Sequence, residues 1–499
     1  MSQISIQNLS FTYPGSYDPI FSHVTLTLDD QWKLGLIGRN GRGKTTLLHL
    51  LAGVLSGTGS IRAHVDFCCF PMHISHPERP AHDVLTKLSG GELWVLLREL
   101  SLLGVDEAVL DRPFCTFSPG EQTKMQLAAL FTRENAFPLI DEPTNHLDEE
   151  GRRLLGAYLR RKRGFLLVSH DRSLLDECID HVLSINKADI TLQKGNFSTW
   201  KLARERQDGF ERSQNERLQR EICRLQQSAQ RVSGWSAQIE KSKYGSKNSG
   251  LRPDRGFIGH KSAKMMKRAK TAERRLETAA EEKSSLLHNV ERVDDLKLSP
   301  LRHHARRLLT LADAAPCYDG RPVCAPVSLE IMQGERIRLT GGNGAGKSSL
   351  LRLLAGKPQD YTGTLVRASG LIISYVPQRT DGASGSLRTF AEGIDYSLFL
   401  TILRKLGFAR VQFEKDLSEL SAGQKKKVLL ARSLCEQAHL YLWDEPLNYI
   451  DLDSRMQIER LLTEFQPTMV FVEHDAAFAD MAATRTLTLS APSGACPSR

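Results

Sequence analysis

One group of short motifs occurs twice in this chain, at an almost constant separation. The segment GRNGRGKT begins at Gly38 and GGNGAGKS begins at Gly341, so the two copies stand 303 positions apart. The same separation relates Ser118 to Ser421 and Asp141 to Asp444, and it is 304 for His170 and His474. A chance match would not bring its partners along at fixed spacing, so the sequence predicts a duplicated domain.

Each glycine-rich segment has the form of a phosphate-binding loop, GxxxxGK followed by Ser or Thr. Backbone N–H groups of such a loop, at a helix N-terminus, surround phosphate oxygens. Lys44 and Lys347 are expected to neutralise the β- and γ-phosphates of ATP, and Thr45 and Ser348 to bind Mg²⁺. The expected nucleotide-binding positions are Gly38, Asn40, Gly41, Gly43, Lys44, Thr45 and Thr46 in the first copy, and Gly341, Asn343, Gly344, Gly346, Lys347, Ser348 and Ser349 in the second.

Paired acidic residues follow an apolar run in both copies, in FPLIDE (137–142) and LYLWDE (440–445). Each aspartate stands 97 positions after the lysine of its own glycine-rich loop. A buried strand that delivers carboxylates at its C-terminal end suits a site for metal and water. We expect Asp141 and Asp444 to hold Mg²⁺ through water, and Glu142 and Glu445 to polarise the attacking water of an ATP hydrolysis reaction.

The repeat organises the chain into cassette one (1–200), a linker (201–305) and cassette two (306–499). Strands are predicted at 33–37 and 336–340, directly before the glycine-rich loops. Helices are predicted at 45–52 and 348–355, each ended by a glycine, Gly53 or Gly356. The predicted fold class is α/β, with two P-loop ATPase domains.

The linker has apolar residues in steps of three and four, which is the 3.5-residue period of a coiled coil. The pattern runs from Leu218 to Ile239 and again from Ala269 to Val293. A stretch with Gly, Pro and Ser, residues 245–259, separates the two halves. We therefore predict an antiparallel α-helical hairpin, whose first helix, from about 205 to 240, would be roughly 50 Å long.

Positive charge is concentrated at the predicted tip of this hairpin. Residues 241–270 contain ten Lys or Arg and one acid, Asp254, so their net charge equals the +9 of the whole chain. Such a segment on an otherwise balanced protein indicates a polyanionic partner. The tip residues expected to contact this partner are Lys241, Lys243, Tyr244, Lys247, Arg252, Arg255, Phe257, Lys261, Lys264, Lys267 and Arg268. Trp235, Met265 and Met266 are expected to pack within the hairpin.

Other features of the composition narrow the class of protein. No apolar run reaches the roughly 18 residues of a membrane span, and the first residues lack the pattern of a signal peptide. The nine cysteines include no CxxC pair, which favours a reduced, cytoplasmic protein. Cys68, Cys69, His73 and His76 lie close in sequence, but we interpret their segment as a strand and loop and not as a metal site.

With these motifs the chain resembles the ATP-binding-cassette ATPases. The family's signature is matched by FSPGEQ (117–122) and LSAGQ (420–424). Its Walker B motif and D-loop are matched by DEPTNHLD (141–148) and DEPLNYID (444–451). Its switch region is matched by SHD (169–171) and EHD (473–475). The resemblance implies that the signature of one cassette, through Ser118 and Gly120 or Ser421 and Gly423, faces the P-loop of the other. Two ATP molecules would then lie within a monomer whose cassettes form an intramolecular dimer.

The resemblance further implies that His170 and His474 contact the γ-phosphate, and that Tyr13 and Tyr318 stack on adenine. A second signature-like segment, LSGGE at 88–92, has the wrong spacing and is assigned to a helical subdomain. The cassettes differ where the family has a Mg²⁺-sensing glutamine: Gln378 occupies that place in cassette two and Met72 in cassette one. Because a thioether is a poor Mg²⁺ ligand, we expect the two sites to turn over differently.

Two fused cassettes with a charged helical linker resemble the ABC-F proteins, and within them the Lsa/Vga-type antibiotic-resistance branch. The resemblance implies a partner, the ribosome, with the linker tip near the peptidyl-transferase centre of 23S rRNA, the E-site region and P-site tRNA. It implies protection against lincosamides, pleuromutilins and streptogramin A, and we hypothesise that residues from about 243 to 262 determine the drug spectrum. Three alternatives stay open: a housekeeping ABC-F translation factor, a transporter ATPase subunit and a DNA-repair ATPase.

Overall fold

The structure, a computed structural model, describes residues 3–15, 19–145, 147–186, 189–242, 296–380 and 384–490, with helical residues also at 267, 270–272, 274, 275 and 278. Contacts divide the chain into two compact units. One unit contains Met1–Trp200 and Val293–Arg499, and the other contains Lys201–Arg292. Within the described part of the chain, no helix combines the length and the apolar character needed to cross a membrane.

Cassette one is built on two sheets. Its strands are β1 (Gln3–Phe11), β2 (Phe21–Asp29), β3 (Lys33–Ile37), β4 (Thr58–Arg62), β5 (Asp66–Phe70), β6 (Ala136–Asp141), β7 (Phe165–Val168), β8 (His181–Ile185) and β9 (Ile190–Lys194). The central sheet has the order β5-β6-β7-β3-β8-β9 and is parallel except for β9. An antiparallel sheet, β2-β1-β4, stands beside it. This arrangement brings the C-terminal ends of β3, β6 and β7 to one edge, where the glycine-rich loop begins.

Helices surround the central sheet of cassette one. They are α1 (Lys44–Leu51), α2 (Ala81–Ser89), α3 (Leu93–Leu102), α4 (Pro119–Leu130), α5 (Glu149–Arg160) and α6 (Arg172–Cys178). Helices α2 to α4 form the subdomain that carries the signature. LSGGE belongs to this helical subdomain, as predicted, and its last three residues connect α2 to α3. Cys68 and Cys69 lie in strand β5, and no cluster of metal-binding side chains occurs among the described residues.

The helix that follows cassette one is longer than the sequence predicts. Helix α7 runs from Phe197 to Ser242, whereas the apolar pattern indicates a start near residue 205. Asn196 explains the earlier start, because its Oδ1 accepts a hydrogen bond from the N–H of Thr199 at 3.0 Å, as an N-cap side chain does. The partner helix and the tip that the pattern predicts lie almost entirely outside the described residues, as do the side chains of Trp235, Met265 and Met266.

Cassette two repeats the plan. Its strands are β10 (Arg307–Tyr318), β11 (Arg321–Pro322), β12 (Val327–Met332), β13 (Arg336–Thr340), β14 (Tyr361–Arg367), β15 (Ile373–Val376), β16 (Leu440–Asp444), β17 (Met469–Val472) and β18 (Arg485–Thr488). Its helices are α8 (Lys347–Leu354), α9 (Leu387–Phe390), α10 (Tyr396–Lys405), α11 (Ala422–Cys435), α12 (Leu452–Phe465) and α13 (Ala476–Ala482). The central sheet, β15-β16-β17-β13-β18, is parallel throughout. The α/β fold with two P-loop domains is therefore confirmed.

A buried carboxylate fixes the signature-bearing subdomain of cassette one to the rest of that cassette. Glu99 on α3 is 2% exposed and accepts a hydrogen bond from the hydroxyl of Tyr158 on α5 at 2.8 Å. The ammonium group of Lys162 and the guanidinium group of Arg98 also contact it. Burial alone would raise the pKa of Glu99, but the bonds to Lys162 and Tyr158 outweigh it and the pKa lies below its ordinary value. Glu99 is therefore ionised and paired.

We expect Glu99→Ala to lower the free energy of unfolding by about 3–5 kcal/mol, because it leaves a largely buried lysine and a buried hydroxyl without their shared partner. Urea denaturation followed by tryptophan fluorescence measures the change. Arg98→Ala is the matched control, since the Arg98 side chain is 58% exposed and its loss should cost less than about 1 kcal/mol. Equal effects of the two substitutions would show that the buried contacts do not fix the subdomain.

Candidate ATP sites

The glycine-rich loops place their lysines in the same way in both cassettes. Gly43 and Gly346, the residues before helices α1 and α8, adopt left-handed conformations with φ of 91° and 83°. The ammonium group of Lys44 donates to the carbonyl of Gly38 at 2.6 Å, and that of Lys347 donates to the carbonyl of Gly341 at 2.7 Å. Each lysine thus closes a ring around its own loop, which holds the backbone N–H groups toward a common centre.

The acidic residues stand where the sequence predicts, at the ends of β6 and β16. Both glutamates have positive φ, 48° for Glu142 and 47° for Glu445, which is uncommon outside glycine. Their backbone N–H groups donate to the carbonyls of Val168 and Val472, and these hydrogen bonds hold the turn. Backbone strain of this kind concentrates at functional sites.

The switch histidines contact these glutamates in both copies. Nε2 of His170 lies 3.3 Å from Oε1 of Glu142, and Nε2 of His474 lies 3.4 Å from Oε1 of Glu445. Strands β7 and β17 end just before the histidines and run parallel to the strands that carry the acids, so the sheet register brings each pair together. The structure therefore assembles P-loop, acids and switch histidine within each cassette.

The two catalytic-site glutamates differ in their electrostatics. Burial raises the pKa of Glu142 to about 7, and Lys44 opposes that rise. Burial would also raise the pKa of Glu445, but hydrogen bonds from His474 and Gln378 outweigh it and lower the pKa to about 2. Gln378 has no counterpart in cassette one, where Met72 stands. A methionine cannot donate the hydrogen bond that stabilises the ionised form, which accounts for part of the difference.

The loops around Met72 and Gln378 are also held by different chemistry. The N–H of Met72 donates to Oε1 of Gln126 on the signature helix α4 at 2.9 Å. In cassette two, the buried ammonium group of Lys426 on α11 donates to the carbonyls of Pro377, Gln378 and Asp444. Sequence reasoning missed Gln126 and Lys426, although their place on the signature helices offered a signal.

Oxygen ligands suitable for Mg²⁺ occur in both cassettes. The hydroxyl of Thr45 donates to Oδ2 of Asp141 at 2.8 Å, and the hydroxyl of Ser348 lies 3.5 Å from Oε1 of Gln378. Burial raises the pKa of Asp444 to about 6. Ser348 approaches the Asp444 carboxylate, yet neither carboxylate oxygen accepts a hydrogen bond of ordinary geometry from the described residues. Buried oxygens without donors fit a hard cation.

A cavity of about 470 Å³ joins the two cassettes at the first site, which we call the Lys44 site. Its walls come from the P-loop, acids and switch histidine of cassette one and from the signature of cassette two. The residues contributed by cassette two include Phe408, Gln412, Ser421, Gly423 and Tyr449. The structure thus brings Lys44 and Ser421 into one cavity, in the head-to-tail pairing that the resemblance implies.

The two cassettes also approach each other at the P-loop of cassette two, which we call the Lys347 site. Burial lowers the pKa of Lys347, and the charges of Glu445, Asp148 and Asp444 act against that decrease. Asp148 belongs to the D-loop of cassette one, so that loop lies near the P-loop of cassette two. Ser118 caps helix α4, accepting a hydrogen bond from the N–H of Glu121, and Ser421 caps α11 in the same way with Gln424.

Tyr13 and Tyr318, the predicted adenine contacts, occupy matching positions beside the P-loops. The hydroxyl of Tyr13 lies 2.9 Å from that of Thr46, and the hydroxyl of Tyr318 lies 3.3 Å from that of Ser349. Both rings are more than 40% exposed. Tyr13 also lines the cavity of the Lys44 site, so an exposed aromatic face is present there.

Comparisons with known proteins agree with this geometry. The family described as "ABC transporter" matches residues 21–145 and 324–448, which together make up half of the chain. Two P-loop ATPase domains that share composite nucleotide sites define the class of protein. The chain belongs to the ATP-binding-cassette family, and it is an ATP hydrolase.

Relatives match along nearly the whole chain. "Ribosome protection protein VmlR" of Bacillus subtilis is 26% identical, over 98% of this chain and 86% of the relative. "ATP-binding protein Uup" of Caulobacter vibrioides is 27% identical, over 95% of this chain and 76% of the relative. "Probable ATP-binding protein YheS" of Escherichia coli is 26% identical, over 91% and 74%.

Solved structures share the fold. The archaeal ribosome recycling factor aABCE1, in complex with the ribosomal stalk protein aP1, matches with a TM-score of 0.63 and 20% identity. The match covers 97% of this chain and 89% of that chain. A second similar structure is "RNase-L Inhibitor", with a TM-score of 0.59 and 21% identity, covering 92% and 83%.

The P-loop glycines yield a prediction on nucleotide binding. A Cβ at Gly43 would stand 2.5 Å from Cγ2 of Ile20 and 2.9 Å from the ring of Phe21, whereas one at Gly346 would stand 3.3 Å from Cβ of Cys324. Gly43→Ala should therefore weaken binding at its own site at least about tenfold, since about 1.4 kcal/mol of strain has that effect.

Gly346→Ala is the matched control, because its positive φ imposes a similar backbone cost without the severe clash. Titration with a fluorescent ATP analogue, with Lys347→Ala or Lys44→Ala added to silence the other site, measures the two affinities. A larger loss from Gly346→Ala than from Gly43→Ala would contradict the packing that we describe.

Proposed function

We propose that this protein is an ABC-F ATPase that binds the ribosome in the cytoplasm and protects it from antibiotics of the peptidyl-transferase centre. The observation that carries the proposal is the joining of two intact cassettes in one chain by a long polar helix and a strongly basic segment. A relative that matches 98% of this chain is named a ribosome protection protein, which supports the same reading.

The linker supplies the features that a ribosome-binding element needs. Helix α7 has 46 residues, which corresponds to roughly 70 Å at 1.5 Å per residue. Its described surface is polar, with ion pairs one turn apart at Lys201 and Glu205 and at Arg217 and Glu221. The basic segment 241–270 follows it, and lysines and arginines of this kind neutralise RNA phosphates. Tyr244 and Phe257 would add stacking on exposed bases.

ATP would act as the clamp that fixes the linker. Its phosphates would lie between Lys44 and Ser421, and between Lys347 and Ser118, with Mg²⁺ held by Thr45 and Asp141 or by Ser348, Gln378 and Asp444. Bound Mg²⁺ neutralises phosphate charge. Glu142 and Glu445 would orient and deprotonate water, with His170 and His474 beside them. ATP binding would close the cassettes on the ribosome, and hydrolysis would release them.

A housekeeping ABC-F translation factor is the second candidate. Two relatives, Uup and YheS, are named only as ATP-binding proteins, and their names do not distinguish the two roles. Ser118 lies 46 positions after Met72, and Ser421 lies 43 positions after Gln378, so cassette one has no room for a large inserted arm. That comparison favours the resistance branch. A transporter ATPase subunit would leave the basic segment without a role.

Drug susceptibility is the decisive experiment. Expression should raise the concentration of lincosamide, pleuromutilin or streptogramin A that inhibits growth, and a Lys44→Ala, Lys347→Ala double variant should not. Charge-neutralising substitutions within 243–262 should change the spectrum while leaving ATP hydrolysis intact. Unchanged susceptibility to all three classes, with ribosome binding retained, would favour the housekeeping role.

The ATP clamp predicts a stable complex when hydrolysis is blocked. The Glu142→Gln, Glu445→Gln double variant should sediment with ribosomes in the presence of ATP, because closed cassettes cannot reopen. The Lys44→Ala, Lys347→Ala variant is the control and should stay in the supernatant. Sedimentation of the glutamine variant only without nucleotide would contradict the clamp.

The pKa values of the two glutamates predict different pH profiles for the two sites. With Glu445→Gln, hydrolysis should depend on Glu142, whose pKa of about 7 means that it becomes protonated and inactive as the pH falls through 7. With Glu142→Gln, hydrolysis should depend on Glu445, whose pKa of about 2 keeps it ionised. Steady-state rates between about pH 8 and 6 should fall steeply only for the first variant. Identical profiles would show that the two sites have the same electrostatics during turnover.

A further inference from the structure

Arg455 contacts both cassettes at once. It lies on helix α12, just after the D-loop of cassette two, and it is 5% exposed. Within its own cassette it donates to the carbonyls of Ile450 and Leu447 and to Oδ2 of Asp475. Its Nη1 also donates to the backbone carbonyl of His170, in cassette one, at 2.9 Å. A buried guanidinium group from one cassette therefore holds the switch residue of the other.

Arg152 occupies the equivalent position in cassette one, 303 residues earlier, and its contacts are different. It donates to the carbonyl of Leu147 at 3.1 Å and to Oδ2 of Asp171 at 3.3 Å, both within cassette one. These two bonds match those of Arg455 to Ile450 and Asp475. Among the described residues, Arg152 makes no hydrogen bond that matches the one from Arg455 to the opposite histidine. Arg152 and His474 line a cavity of about 540 Å³.

The surrounding interface has the same asymmetry. On the side of the Lys44 site, Arg39 pairs with Asp453 at 3.0 Å and Arg172 pairs with Glu459 at 3.0 Å, both across the cassettes. The repeat places smaller residues at three of the four equivalent positions: Gly342 for Arg39, Ala476 for Arg172 and Gly156 for Glu459. On the other side, Arg338 pairs with Glu149 at 3.0 Å. The two ion pairs on the side of the Lys44 site therefore have no equivalents on the other side, where Arg338 makes a different contact between the cassettes.

We propose that Arg455 is a positioning residue for hydrolysis at the Lys44 site, where it holds His170 against Glu142 from the opposite cassette. Hydrolysis at that site then depends on the position of the D-loop helix of cassette two. At the Lys347 site the equivalent arginine bond is replaced by Arg338 of cassette two, which contacts both Glu149 of cassette one and the carbonyl of Glu473. The two sites are therefore coupled to the opposite cassette by different contacts. This inference concerns ATP hydrolysis itself and stands apart from the proposed ribosomal role.

The pH dependence of hydrolysis provides a second test, because Arg455 is charged and lies beside His170. Burial, first, and the charges of Lys44 and Arg455 keep the pKa of His170 well below its ordinary value. The charged or titratable groups facing His170 are Lys44, Glu142, Lys427, Asp451 and Arg455. Loss of the Arg455 charge should let the pKa of His170 rise toward its ordinary value, while burial and Lys44 still hold it down.

The experiment compares Arg455→Met with Arg152→Met in full-length protein. Arg455→Met is measured with Glu445→Gln present, which leaves hydrolysis to the Lys44 site, and Arg152→Met is measured with Glu142→Gln present. We expect Arg455→Met to lower kcat about tenfold or more with KM changed less than about threefold, because a charged hydrogen bond to the switch loop is lost. Arg152→Met should lower kcat less than about threefold.

Two further variants separate positioning from stability. Asp475→Asn removes the ion pair of Arg455 inside cassette two but leaves the bond to His170, so it should retain most of the kcat. Arg455→Lys keeps the positive charge. The ratio of variant to parent rate should fall as the pH is lowered for Arg455→Met, because the charge of Arg455 lowers the pKa of both His170 and Glu142, and it should stay flat for Arg455→Lys.

Three results would overturn the proposal: equal loss of kcat from the two methionine variants, a loss confined to KM, or full reproduction of the defect by Asp475→Asn. If Arg455→Met does not fold, Arg455→Gln is judged by the same kcat, KM and pH criteria. Thermal denaturation of every variant identifies that case.

Discussion

A buried lysine faces carboxylates at the end of each central sheet, and the surrounding structure keeps those charges together. The carboxylates are buried in cassette two and half-buried in cassette one. Lys44 and Lys347 are each 8% exposed, and Asp444 is 1% exposed. Removing such groups from water costs several kcal/mol apiece, so they are stable only when partners are held at close range. Parallel strands supply that geometry, because their C-terminal ends meet at one edge. The left-handed glycines then turn the chain so that the lysine faces the acids.

The elements nearest this edge were the easiest to predict from sequence. Strands β3 and β13 have the predicted bounds, and helices α1 and α8 begin one residue earlier than predicted, at Lys44 and Lys347. Strands β6 and β16 were also predicted from the sequence, because each is an apolar run that ends in Asp-Glu. The same apolar pattern occurs twice, 303 positions apart, so these elements can be assigned with little ambiguity. Motif spacing also paired Lys44 with Ser421 through the family resemblance, and one cavity contains both.

Other features of the sites depend on contacts that no motif records. The positive φ of Glu142 and Glu445 follows from hydrogen bonds to a neighbouring strand, and glutamate gives no sign of it in sequence. The difference in pKa between these two residues was foreshadowed by Met72 in cassette one and Gln378 in cassette two, but the sequence does not show the hydrogen bond from His474 that also lowers the pKa of Glu445. The bond from Arg455 to His170 joins residues 285 positions apart, and only the packing of two cassettes reveals it.

Covalent fusion of the cassettes has a consequence for how such a molecule changes over time. In a symmetric homodimer, every replacement appears on both sides of the twofold axis, so the two ATP sites remain identical. Here the copies sit in one polypeptide, and Gly342, Gly156 and Ala476 occupy positions at which the other flank carries bulky charged groups. A tandem chain can therefore give its two ATP sites different contacts between the cassettes, and so different roles.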